Sequence, residues 1–98
     1  MIRHVALFTW KPETTGEQKQ QLLTELSALP RLVPGVRDYR FGADAAIVTG
    51  TNADFAITAD FDDADAYLVY RDHPAHVAMI ENTVKPIVAQ RVSAQFEF

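Results

Sequence analysis

Nine residues near the start, Ile2 to Trp10 (IRHVALFTW), place the hardest constraint on this chain. Their β-branched and aromatic side chains make the segment a strand, and Lys11-Pro12 stops it. Alternation puts Ile2, His4, Ala6, Phe8 and Trp10 on one face and Arg3, Val5, Leu7 and Thr9 on the other. Neither is a water face, so a sheet built on this strand needs cover on both sides. The chain has 98 residues, one domain spanning 1–98, from which to supply that cover. A fold of this mass leaves about 5,600 Å² exposed out of about 16,000 Å² unfolded, which makes for a thin core.

Single Pro and Gly residues divide the rest into short elements. After Thr14-Thr15-Gly16 a helical pattern runs from Glu17 to about Leu32, with Thr14 or Thr15 as cap. Its apolar stripe is Leu22, Leu26 and Leu29, widened by Leu23, and Pro30 with Pro34-Gly35 ends it. Val36 to Phe41 alternates as a second strand with Gly42 marking a bend, and Phe55 to Phe61 is a third. Asp62-Asp63 cap a helix from Ala64 to about Arg71, which His73-Pro74 interrupts. Pro74 suits the first position of a new helix, making His73 its N-cap and His76 a first-turn residue. Val77, Ile80, Val84, Ile87 and Val88 form its stripe, and Pro86 kinks or ends it. Arg91 to Phe98 closes the chain in strict alternation.

The order β-α-β-β-α-β is the ferredoxin-like pattern, an α+β fold whose four-stranded antiparallel sheet carries helices on one face. The other face is left with Val5 and Leu7, and the chain holds nothing more to cover them. The economical cover is a second copy, so a homodimer is expected, sheets packed about a two-fold axis.

Composition narrows the function. With 48% hydrophobic and 22% charged residues the chain is not disordered, and without cysteine it has no disulfide scaffold, thiol nucleophile or thiolate zinc site. A net charge of −4 argues against a nucleic-acid partner. No apolar run reaches a membrane span and no signal-peptide pattern opens the chain, so the expectation is no membrane and a cytoplasmic location.

Three histidines, His4, His73 and His76, are the side chains of the one type whose unperturbed pKa lies near neutrality. Tyr70-Arg71-Asp72-His73-Pro74-Ala75-His76 places a phenol on the last turn of one helix and two imidazoles at the start of the next. At a helix N-terminus His76 stays neutral and can act as a base, while Tyr70 can donate to an oxyanion. Against this stand plainer uses: His73 as a cap, Tyr70 as packing beneath the break, His4 as a core residue. A metal is the rival use of the three rings. It is not expected, because a proline follows the first histidine and no carboxylate completes the set. The Asp60, Asp62, Asp63, Asp65 cluster lacks the glycine and terminal glutamate of a calcium loop.

Ile2-Arg3-His4-Val5-Ala6-Leu7-Phe8 with Trp10-Lys11, Pro34-Gly35-Val36, Phe41-Gly42, Asp54-Phe55-Ala56, Asp60-Phe61, Lys85-Pro86-Ile87 and above all Tyr70 to Val77 resemble the stress-responsive α/β-barrel (Dabb) domain. The resemblance covers essentially the whole chain. It implies a dimeric α/β barrel, in a family most of whose members have no established reaction. Some plant members similar in the Tyr70–Val77 segment are polyketide cyclases, which close a poly-β-keto acid by aldol condensation without a cofactor. Their tyrosine and second histidine correspond to Tyr70 and His76, and His4 matches a histidine near their pocket. Two readings follow. One is a homodimer binding a small molecule in a pocket between sheet and helices, with Phe8, His73 and Ile80 beside the histidines. The alternative is a cofactor-independent cyclase or lyase, in which His76 removes a proton, Tyr70 steadies the oxygen and His4 positions the substrate. No cofactor is expected in either.

Overall fold

In a computed structural model describing residues 1–98, four strands form one antiparallel sheet: β1 (Ile2–Trp10), β2 (Asp38–Ala43), β3 (Phe55–Phe61) and β4 (Val88–Glu97). Their spatial order is β2-β3-β1-β4, which leaves β2 and β4 at the edges. The helices α1 (Gly16–Leu32), α2 (Ala64–Asp72) and α3 (Pro74–Met79) complete the ferredoxin-like α+β fold, and a π-helical turn, Ile80–Val84, extends α3. No helix is long and apolar enough to cross a membrane.

The register settles which side chains share a face. His4, Ala6 and Phe8 of β1 lie opposite Ala59, Ile57 and Phe55 of β3, and all six are buried. Onto this floor α1 lays Leu22, Leu26 and Leu29, with Tyr70, Met79, Val84 and Ile87 closing the core from the second helical arm. Thr15 caps α1 in a reciprocal capping box with Gln18, and Thr14 instead ties the helix to Ile87 through its carbonyl oxygen at 2.9 Å.

Several boundaries differ from the sequence reading. Pro30 does not end α1, because in the last turn it removes a single intrahelical bond; Val33 N–H still reaches the Leu29 carbonyl, and the chain turns at Gly35, whose φ is +89°. The second strand starts at Asp38, not Val36, and Gly42 stays in the ladder opposite Ala56. The last strand starts at Val88 and not Arg91, pairing with Trp10 after a register shift. Val77, assigned above to the core stripe, is 44% exposed, and Met79 takes its place. The cause is the π turn. Lys85 N–H bonds the Ile80 carbonyl five residues back at 2.9 Å, and the wider turn brings Val84 inward while Val77 and Ile80 are left toward a cavity.

Candidate functional site

The helices pack over β1 and β3, and beyond its first residue β4 is exposed along its whole length. Opposite His4, Ala6 and Phe8 it presents Gln95, Ser93 and Arg91, a polar row on the helix side of the sheet. Between that row and α3 lies a cavity of about 360 Å³. His4, Ala6, Phe8 and Ile57 line its floor, Val77, Ile80 and His76 the α3 side, and Tyr67 and Tyr70 the α2 side.

The break at His73 aims this wall. His73 Nδ1 accepts from the Ala75 N–H at 3.1 Å and Pro74 occupies the first helical position, so α3 starts afresh from α2. His76 then turns back onto α2: its Nδ1 stands 2.9 Å from the Arg71 carbonyl, and its ring centroid 4.3 Å from that of Tyr70. A carbonyl accepts only, so Nδ1 carries the proton and the neutral ring keeps its lone pair on Nε2. Burial is the first cause that lowers the His76 pKa, with the Arg71 carbonyl opposing it and Arg91 adding to it. Burial, rather than the start of the helix, is what chiefly keeps this ring neutral.

His4 has the opposite arrangement. Gln95 Nε2 donates to its Nδ1 at 2.9 Å, so the neutral ring carries its proton on Nε2. Burial first, then the charges of His76 and Arg91, push its pKa down to about 4. Tyr70 is 2% exposed and its hydroxyl lies 2.9 Å from that of Tyr39 on β2. Burial and this neighbour push its pKa up, and burial pushes Tyr39 up to about 12.

The cavity thus gathers His4, Phe8, Tyr70, His76 and Ile80 from among the residues singled out in the sequence. His73 is not among its lining residues; its side chain is spent on the cap. Sequence reasoning passed over Tyr67, Arg91 and Ser93, which also line it. The signal was present in the alternation of Arg91, Ser93 and Gln95, but which face those residues take depends on the β1–β4 register.

The family model for the Stress Responsive A/B Barrel Domain matches residues 2–98. A protein of Streptomyces coelicolor is 36% identical over 80 residues, covering 80% of this chain and 81% of its own length. Among solved structures, a dimeric ferredoxin-like protein of unknown function from Thermobifida fusca is 43% identical, with a TM-score of 0.90 over 99% of this chain and 90% of that one. A Dabb family protein with a ferredoxin-like fold from Mesorhizobium loti is 25% identical, with a TM-score of 0.83 over 99% of this chain and 95% of that one.

Proposed function

The chain belongs to the stress responsive A/B barrel domain family, and on that footing we propose that it is a homodimer that binds a small molecule in the chamber between β1, β4 and α3. The observation that carries this reading is a 360 Å³ space that polar and apolar side chains share. Its volume falls at the small end of the range for ligand cavities, and its make-up is theirs: mostly apolar walls with a few convergent polar groups. His4 offers an N–H and His76 a lone pair, so a carbonyl or hydroxyl ligand finds both a donor and an acceptor.

Cyclase chemistry asks more. It needs the Tyr70 hydroxyl free to meet a developing oxyanion. That hydroxyl is paired with Tyr39 and nearly inaccessible, which favours binding over cyclisation; Tyr70 serves as the wall on which His76 rests. The dimer reading is supported by the apolar open face of the sheet and by the dimeric relative from T. fusca.

The test is a nuclear magnetic resonance screen of metabolite-sized carbonyl and hydroxyl compounds against the full chain. Binders are expected to shift resonances of His4, His76 and Ile80. Ile80→Trp, which fills the chamber from its half-buried wall, is expected to abolish the shifts without unfolding the protein. A screen in which no compound perturbs these residues, or in which Ile80→Trp binds as well as the parent, overturns the reading.

A further inference from the structure

We propose that the ligand is a small organic acid, its carboxylate held at the Arg91–Ser93 edge of the chamber and its apolar body reaching toward Phe8 and Ile80. This rests on the chamber reading above and adds the charge of what enters. Four arginines, Arg3, Arg37, Arg40 and Arg71, each engage a carboxylate at 2.7 to 3.1 Å. Arg91 lines the chamber with no such partner. Its register opposite Phe8 puts it on the helix side of the sheet, at the border between the apolar floor and solvent. Its positive charge acts on His4, Tyr67 and His76, three side chains of the same cavity.

The other charges at the site cancel. Arg71 is paired with Asp72 at 2.9 Å, and Glu81, the one carboxylate among the lining residues, holds Lys85 at 2.6 Å. One uncompensated guanidinium remains, a planar fork matched to a carboxylate. Ser93 stands two residues along the same strand face, about 7 Å away, as a further hydrogen-bonding group. Beyond this edge Ala6, Phe8, Ile57 and Ile80 offer no partner for a second charge. The chamber therefore suits a molecule charged at one end and apolar at the other. An amine would meet the guanidinium as a like charge.

The experiment uses hexanoate and phenylacetate as probes, with hexanamide, phenylacetamide and hexylamine as comparators, each titrated into the full chain. The acids are expected to bind about tenfold more tightly than the amides, with hexylamine weaker than both. Arg91→Gln is expected to lower acid affinity by about tenfold to a hundredfold. Arg31→Gln, an equal loss of charge on α1 outside the chamber, is expected to leave it unchanged. Amides that bind as tightly as acids, or an Arg91→Gln protein with undiminished acid affinity, overturn the acid assignment and leave the chamber reading standing. Failure of every probe to perturb chamber residues overturns the acid assignment, and the chamber reading falls with it only if the wider carbonyl and hydroxyl screen is blank as well.

Discussion

His4 and His76 share a cavity yet hold their protons on opposite ring nitrogens, and each tautomer is chosen by one bond outside the ring, to Gln95 and to the Arg71 carbonyl respectively. Both rings are held below the ordinary histidine value, so on acidification the unfolded chain takes up protons first. Stability therefore rises with pH between about 4 and 6.5 for His4, is complete above that window and is lost on descending through it. Urea titrations at pH 7 and pH 4.5 are expected to show the lower midpoint at pH 4.5. A ring-proton titration should place His4 near 4 and His76 below the usual 6.5; a His4 ring that titrates at 6.5 or above refutes the buried, neutral arrangement. The sequence made the histidines visible as residue types and placed His76 near Tyr70, since both flank one proline break. It could not show their tautomers, because Gln95 reaches His4 across 91 positions of chain. Nor could it show that Tyr70 is paired to Tyr39, since that contact joins α2 to β2 across 31 positions of chain.

At the scale of elements, the break between α2 and α3 is the best-read feature and the π turn the least. His73-Pro74 announces a cap followed by a first helical position, and both occur. The cap separates the local role of His73 from any role at the cavity. His73→Ala is expected to cost about 1 kcal/mol of stability in denaturant unfolding, with His73→Asn close to the parent. If the cap is its whole contribution, ligand affinity measured on the folded His73→Ala protein stays at the parental value; a large affinity loss with unchanged stability contradicts this assignment. The π turn left no such punctuation. A 3.6-residue stripe assigns Val77 to the core, whereas the widened turn at Ile80–Val84 inserts a five-residue step that buries Met79 and Val84 together. Helical periodicity has no means of marking one irregular turn, and this one decides that Val77 and Ile80 line the chamber. The β2 boundary failed for a related reason: Val36 packs against the core from outside the ladder, so its apolar character resembled that of a strand residue.

The open face of the sheet sets the behaviour of the molecule as a whole. A protein of this mass is expected to expose about 5,600 Å²; the chain exposes 6111 Å², and 16 of its 98 residues are buried. Part of the exposed apolar surface lies where β1 meets β4. Leu7 and Val92 are register partners, 40% and 52% exposed, and Phe96, further along the same face of β4 opposite Arg3, is 48% exposed. On the same face over β2 and β3 the character changes to charge, with Arg3 on Asp60 at 2.7 Å and Arg40 on Asp38 at 3.1 Å. The two-faced first strand makes the need for cover legible in the sequence, but not this division, since the apolar row of β4 joins Leu7 only in the observed register. An apolar half flanked by a charged half suits a face that must dock in one orientation. A dimer built on it predicts a selective response to charge. Val92→Glu adds a carboxylate to an exposed strand position, where the isolated chain tolerates it, yet in the dimer it desolvates two like charges near a two-fold axis. Sedimentation is expected to fall from twice the 10.9 kDa chain mass to the single mass, with circular dichroism unchanged. Val69→Glu, on the exposed surface of α2 away from the sheet, is expected to leave the dimer mass intact. A Val92→Glu protein that still sediments as a dimer places the interface elsewhere and leaves Leu7, Val92 and Phe96 as an apolar patch in need of another explanation.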